Sequence, residues 1–184
     1  MATVTPSKLI TADEYLVMPG LPERSELVRG VVVPMNPPGF AHGKICARIA
    51  IKIGAFVEEH DLGHTLSNDS GVITERGPDT VRGGDVEFYS YSRIPKGKDP
   101  EGYPTVVPEI VFEVVSPSDT RKELTRKAAE YLKAGVNVVC VVDPKLKSVS
   151  VFYPEIPVAK LQGDEALTFE ELPGFSVPVS KFFE

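Results

Sequence analysis

The sequence predicts an α/β fold in which a mixed central sheet is covered by a helix on each face. Helical and strand-like patterns follow one another in the order helix, three strands, helix, strand. Two runs, over 108–115 and 137–142, are apolar almost throughout, as is typical of strands that are buried on both faces. A chain of 184 residues with 42% hydrophobic residues can bury such a core, and we expect one domain over 1–184.

Apolar periodicity and capping residues define the predicted elements. Thr11 and Glu14 have the spacing of a capping box, which predicts a short N-terminal helix. A longer helix is predicted over 41–60, where apolar residues recur every three or four positions, and a capped helix over 120–134. The predicted strands lie over 26–33, 64–75, 81–90, 108–115, 137–142 and 148–153.

Three charged side chains occupy positions where this fold would place apolar ones. Glu113 interrupts one apolar strand, Asp85 lies on the preceding strand, and Lys127 lies on the apolar face of the helix that follows. A buried charge is costly unless it is paired, hydrogen-bonded or bound to a metal. Because hairpin pairing brings the two strands together, we expect Asp85 beside Glu113, with Lys127 within reach of both.

Each of these side chains also has a purely structural interpretation. Glu113 could reach solvent or pair with an arginine, and Asp85 could be a turn residue after two glycines. The Lys127 stem could pack while its ammonium reaches water. Glu87 shares the face of Asp85 and could be the ligand instead. Since carboxylates on neighbouring strands repel one another unless a cation separates them, the pattern favours a site for a hard ion such as Mg²⁺.

Glu26 and His42 are weaker candidates for the same site. Glu26 shares a strand face with Val28, which indicates an inward acid, and His42 begins the buried face of the first long helix. A single histidine in such a position is more often a core or helix-end residue than a ligand. The basic residues that could contact phosphate groups are Arg93, Lys96, Lys98, Arg121, Lys122 and Arg126.

Charge and composition limit the other possibilities. The formal net charge of −6 argues against adhesion to nucleic acid through the whole surface, although a local basic face remains possible. Cys46 and Cys140 lie in apolar surroundings and are expected to be free buried thiols. We expect neither cysteine to have another cysteine or a histidine at metal-ligand spacing, and therefore expect no zinc site. With a short polar N-terminus and no apolar run of spanning length, we expect a cytoplasmic protein with no membrane partner.

Several short segments follow one another along the chain in a specific order and spacing. They are ELVRG at 26–30, HGK at 42–44, DV at 85–86, PEIVFEVVSPS at 108–118, Lys127, YLKAGV at 131–136 and VVDP at 141–144. Taken together, these segments resemble the Uma-two family of restriction-endonuclease-like proteins, a branch of the PD-(D/E)XK nuclease superfamily. The resemblance covers nearly the whole chain.

The resemblance implies a restriction-endonuclease-like αβββαβ core with an added N-terminal strand region. It also implies a DNA endonuclease that depends on Mg²⁺ or Mn²⁺ and uses no small-molecule cofactor. Asp85 and Glu113 match the metal-binding acids, and the main-chain carbonyl of Val114 matches a further ligand. Cleavage of both DNA strands favours a homodimer. The alternatives are a catalytically silent nuclease fold that binds DNA or a protein, and a structural dimer whose acids form salt bridges.

The sequence departs from the superfamily pattern at two positions. Gly84 replaces the proline that usually precedes the first acid, and Val115 replaces the lysine expected two residues after the second. The resemblance implies that Lys127, from the following helix, takes the place of that lysine. It also implies that Glu26 and His42 occupy positions that the family uses around the site.

Overall fold

The computed structural model describes residues 8–184, which form an eight-stranded mixed sheet with a long helix on each face. The predicted core order of helix, three strands, helix and strand is confirmed. In chain order the elements are α1 (Ala12–Val17), β1 (Ser25–Val28), β2 (Val31–Pro34), α2 (Phe40–Glu59), β3 (Gly63–Glu75), β4 (Thr80–Ser90), β5 (Ile110–Val114), α3 (Arg121–Ala134), β6 (Val138–Asp143), β7 (Ser148–Tyr153), β8 (Ile156–Gln162), β9 (Ala166–Leu167), β10 (Val177–Pro178) and a 3₁₀ helix (Val179–Phe182).

The large sheet has the strand order β2-β1-β4-β5-β6-β7-β8, and β3 also pairs with β4. Strands β5 and β6 are parallel and are joined by α3, whereas the other pairs in this sheet are antiparallel. Strand β3 pairs along nearly all of β4. The opposite edge of β4 is shared, because β1 pairs with it at Val81 and β5 pairs with it from Val86 onward. The edge between these two contacts, over 82–85, faces the site described below.

The predicted strand over 26–33 is wrong, because this segment is a hairpin of two strands. Arg29 and Gly30 form the turn between β1 and β2, with φ angles of 51° and 77°. Positive φ at both central residues is the conformation that hairpin turns of two residues favour. The β-branched residues that follow the turn do not continue the first strand but return antiparallel to it.

The two helices cover opposite faces of the sheet, as predicted from the apolar character of its central strands. Helix α2 buries Ile45, Ile49 and Ile53 against the larger core. Helix α3 buries Ala128 and Tyr131 against a smaller cluster on the other face. The space under α3 is therefore shared between apolar packing and the charged side chains of the site. Between residues 8 and 184, no helix is long and apolar enough to cross a membrane.

Candidate functional site

The side chains predicted to form a site gather in one cleft, at the place where β1 and β5 separate along the edge of β4. The cleft has a volume of about 890 Å³. Its lining includes Val114 and all five side chains predicted from the sequence, which are Glu26, His42, Asp85, Glu113 and Lys127. They come from β1, α2, β4, β5 and α3 respectively. The fold thus brings together residues that are up to 101 positions apart in the sequence.

Asp85 and Glu113 lie side by side on neighbouring antiparallel strands. Val86 pairs with Phe112, so Asp85 and Glu113 are opposite each other one position further along the ladder. Asp85 accepts a hydrogen bond of 2.6 Å from the main-chain N–H of Val114, which fixes its carboxylate at the end of β5. Both acids are buried, with exposures of 8% and 7%. Two acids so placed in a water-poor site repel each other when both are ionised.

The environment of Glu113 raises the pKa of its carboxyl group. Tyr131 and Lys127 each donate a hydrogen bond of 2.8 Å to one of its two oxygens. Burial nevertheless disfavours the carboxylate and raises the pKa of Glu113 to about 7. The charge of Lys127 opposes this rise, and the charge of Asp85 adds to it. Glu113 therefore binds a proton readily in the absence of a cation, and a cation beside it would displace that proton.

Lys127 joins β1 to β5 through two salt bridges. Its Nζ lies 2.8 Å from Glu113 and 3.0 Å from Glu26. Burial disfavours the ammonium, but the charges of Glu113 and Glu26 outweigh burial and raise the pKa of Lys127. The interpretation in which this ammonium escapes to water is wrong, because the side chain is only 16% exposed.

Arg82 is a buried component of the site that the sequence did not reveal. Its guanidinium donates to Glu26 at 2.7 Å and binds both carboxylate oxygens of Glu130 at 2.7 and 2.8 Å. Burial disfavours the Glu26 carboxylate, but Lys127 and Arg82 outweigh this effect and lower its pKa. The partners of Arg82 are 56 and 48 residues away in sequence, so no local pattern distinguishes it from a surface arginine.

His42 connects the first turn of α2 to Asp85, where their Nε2 and Oδ2 atoms are 3.4 Å apart. Burial disfavours the imidazolium, but the hydrogen bond and the charge of Asp85 outweigh burial and raise the pKa of His42. The other ring nitrogen, Nδ1, lies 3.3 Å from the Cys46 sulfur. The prediction that Cys46 has no histidine at metal-ligand spacing is therefore wrong: His42 is four residues earlier, on the same face of α2.

Glu87 is enclosed beneath the site rather than exposed to the cleft. It is 1% exposed, and neither carboxylate oxygen has a hydrogen-bond partner. Burial raises the pKa of Glu87 well above its usual value, so the group is held as the neutral acid. The alternative in which Glu87 replaces Asp85 as the ligand is not supported, since Asp85 is the acid of β4 that lines the cleft.

Gly84 leaves the space that the Glu87 side chain occupies. A Cβ atom at position 84 would lie 2.4 Å from Glu87 Oε1 and 2.9 Å from its Cγ. A proline at position 84 has a Cβ atom and would meet the same contacts. The departure from the superfamily pattern at Gly84 is therefore matched to a large buried side chain three residues later.

Several basic residues predicted to contact phosphate groups are engaged within the protein. Arg93 lies 3.1 Å from Glu109 and donates to the carbonyls of Val107 and Pro108, which anchors the long loop before β5. Lys96 pairs with Asp61 near the end of α2. These contacts give Arg93 and Lys96 a structural role in holding the loop.

Comparison with known proteins places this fold in the restriction-endonuclease-like class. The chain belongs to the Uma2 family, described as "Putative restriction endonuclease", whose model matches residues 12–180. A crystal structure of "a putative nuclease belonging to DUF820" from Anabaena variabilis aligns with a TM-score of 0.81. The two chains are 20% identical, and the alignment covers 95% of this chain and 97% of the other. At that identity the likeness establishes the fold. No curated protein matches the sequence.

Proposed function

We propose that the protein is a Mg²⁺- or Mn²⁺-dependent DNA endonuclease that hydrolyses phosphodiester bonds in the cleft between β1 and β5. The observation that carries the proposal is the placement of two buried acids, Asp85 and Glu113, opposite each other with Lys127 bonded to one of them. The matching family, described as "Putative restriction endonuclease", supports the same reaction class.

The donor set fits a hard divalent cation. Carboxylate oxygens are the ligands that Mg²⁺ and Mn²⁺ prefer, and one or two of them together with waters and a substrate phosphate are usual for Mg²⁺. Asp85 and Glu113 would supply these oxygens, and the main-chain carbonyl of Val114 would be a third ligand. Burial, with a further contribution from the charge of Asp85, raises the pKa of Glu113 to about 7. A cation between the acids would offset both effects. When bound, such an ion lowers the pKa of a coordinated water and stabilises charge on a phosphoryl oxygen.

Lys127 is proposed to provide the cationic group of the reaction. Its Nζ, held by Glu113 and Glu26, is positioned to orient a water or to stabilise negative charge that develops on the phosphate. Glu26 would then act by positioning Lys127, since Arg82 keeps Glu26 ionised and fixed. His42 would help to hold Asp85, since its Nε2 lies 3.4 Å from Asp85 Oδ2.

The test is nicking of supercoiled plasmid with Mg²⁺ or Mn²⁺ by the wild type, Asp85→Asn and Asp61→Asn. Asp85→Asn keeps the size of the side chain and an oxygen that can accept from Val114 N–H, so it removes chiefly the charge. Asp61→Asn is the matched control, because Asp61 is exposed and pairs with Lys96 away from the cleft. We expect metal-dependent nicking in the wild type and the control, and none in Asp85→Asn. Equal nicking by all three proteins would exclude this site as its source.

A catalytically silent module that binds DNA or a protein is the second candidate. It is favoured by the two salt bridges of Lys127, which satisfy its ammonium within the protein. Metal binding without cleavage of any nucleic acid would support it, and thermal stability unaffected by Mn²⁺ would instead indicate a structural role for the acids. For the endonuclease we also propose a homodimer, which light scattering would detect as twice the 20.0 kDa chain mass.

A further inference from the structure

We propose that His42, Cys46 and Asp85 form a binding site for a thiophilic divalent transition metal of the Zn²⁺ class. The three side chains converge from two elements, α2 and β4, and two of them, His42 and Asp85, line the cleft. One donor atom from each lies within 4.8 Å of the other two. This site is chemically different from the all-oxygen site proposed for Mg²⁺, although the two share Asp85.

The distances between the donor atoms are close to those that a tetrahedral ion requires. Zinc bonds of about 2.0–2.3 Å place neighbouring ligand atoms about 3.3–3.8 Å apart. The Cys46 sulfur lies 3.3 Å from His42 Nδ1, and Asp85 Oδ2 lies 3.4 Å from His42 Nε2. Because an ion takes only one nitrogen of the ring, the separations for a single nitrogen decide the fit, and for one set of donor atoms none exceeds 4.8 Å. A movement of about 1 Å or less would bring such a set into this range.

The backbone already holds two of the ligands together. His42 and Cys46 are four residues apart in α2, so their side chains lie one above the other on the same helix face. Asp85 is fixed independently by the N–H of Val114. Since His42 and Asp85 line the cleft, an ion can reach them from solvent, and three protein ligands leave a fourth position for water.

The identity of the donors selects the kind of metal. Thiolate and imidazole are ligands for Zn²⁺ and related transition metals, whereas Mg²⁺ prefers oxygen and gains little from a sulfur. On coordination the Cys46 thiol becomes a thiolate and its proton passes to solvent, so the metal–sulfur bond forms as the sulfur–hydrogen bond breaks. No oxidant or further reactant is needed.

Sharing of Asp85 has a regulatory consequence, which rests on the proposed endonuclease function. A Zn²⁺ ion on His42 and Cys46 would compete with Mg²⁺ for the negative charge of the Asp85 carboxylate and would repel a second cation beside it. We expect Zn²⁺ to inhibit nicking supported by Mg²⁺ in the wild type. Removing the Cys46 sulfur should raise the Zn²⁺ concentration needed for half inhibition by at least about tenfold. Metal affinity falls by about that factor or more even when the group removed only supports a metal ligand.

The binding test uses Co²⁺ as a spectroscopic probe of the full chain under reducing conditions. A Co²⁺–thiolate bond gives a charge-transfer absorption that carboxylate and imidazole ligands do not produce. The wild type is compared with Cys46→Ala and with Cys140→Ala, which removes the other free cysteine from the core and serves as the matched control. Circular dichroism and thermal unfolding establish that each variant is folded.

We expect the wild type and Cys140→Ala to develop this absorption up to one equivalent of Co²⁺, and Cys46→Ala to lack it. Absence of the band in the wild type, or its persistence in Cys46→Ala, would overturn the proposal. His42→Ala provides a second test, since it should weaken Co²⁺ binding while leaving the sulfur in place. Failure of the endonuclease proposal would be seen separately, as absent nicking by a wild type that still gives the cobalt spectrum.

Discussion

Replacing Glu113 by glutamine is expected to change how the stability of the metal-free protein depends on pH. Glu113 lies opposite Asp85 on the neighbouring strand. Its pKa is raised to about 7 by burial and by the charge of Asp85, against the opposing effect of Lys127. An acid whose pKa is higher in the folded than in the unfolded chain destabilises the fold as pH rises between the two values. Glutamine has nearly the same shape as the protonated acid and cannot ionise.

The magnitude follows from the two pKa values. With a pKa near 4.3 in the unfolded chain and about 7 in the folded protein, ionisation of Glu113 costs about 3–4 kcal/mol of unfolding free energy at about 1.36 kcal/mol per unit. This stability is fully present below about pH 4 and is lost by about pH 7. Roughly 2–3 kcal/mol of the change falls between pH 5 and pH 8, and it is absent from Glu113→Gln.

The assay is urea denaturation of both proteins at pH 5 and pH 8, in the presence of a chelator. At each pH, the free energy of unfolding of the wild type is subtracted from that of Glu113→Gln, so that contributions common to both proteins cancel. The change in this difference between pH 5 and pH 8 is the quantity that the prediction concerns. We expect Glu113→Gln to gain about 2–3 kcal/mol relative to the wild type on going from pH 5 to pH 8. A shift of the opposite sign would show that the salt bridge with Lys127 dominates, and the reasoning would be refuted.

Adding Mg²⁺ provides the second half of the experiment. A cation that binds only the folded state raises the free energy of unfolding by about 2.7 kcal/mol at 100 times its Kd. At pH 8 the wild type should gain stability from Mg²⁺, and Glu113→Gln should gain less because one oxygen ligand has lost its charge. At pH 5 the gain in the wild type should shrink, since protons compete with the ion for Glu113. Equal gains in both proteins would place the ion elsewhere.

Two further substitutions test the buried polar groups around the site, both by urea denaturation. Arg82→Met is expected to cost about 3–5 kcal/mol, because it leaves the buried carboxylates of Glu26 and Glu130 without their shared partner; a cost below about 1 kcal/mol would contradict this assignment. Gly84→Ala is expected to cost about 1–3 kcal/mol through its clash with Glu87. In a Glu87→Ala background most of that cost should disappear, and an undiminished cost would show that the clash lies elsewhere.

The core elements could be predicted from the sequence because their signals are local and repeated. Helix α2 has an apolar residue on every turn, α3 has a capping box at Thr120 and a glycine in the left-handed conformation at its end, and the central strands are apolar on both faces. The hairpin at Arg29 and Gly30 was missed because its signal is a pair of positive φ angles. In the sequence, a single arginine before a glycine does not stand out from the strand residues on either side.

The acids of the site could be predicted because Glu113 interrupts an otherwise apolar strand and Asp85 lies on the strand before it. Antiparallel pairing of the two strands then places the acids together. Arg82 gave no such signal, since its role depends on carboxylates from β1 and α3 that only the folded chain brings to it. Cys46 is different, because its partner His42 is four residues away on a predicted helix, and this spacing alone is enough to predict their contact.

The displacement of the lysine from the strand to α3 connects the site to the added N-terminal hairpin. Strand β5 ends at Val114, so a side chain at position 115 would start beyond the last residue of the strand. Lys127 approaches from the helix above, four residues before Tyr131, and the two side chains donate to the two oxygens of Glu113. From this position the Lys127 ammonium also reaches Glu26 on β1. Arg82 then links Glu26 to Glu130, which lies on α3. One buried charge network therefore joins β1, β4, β5 and α3 and extends the proposed metal site into the N-terminal strands.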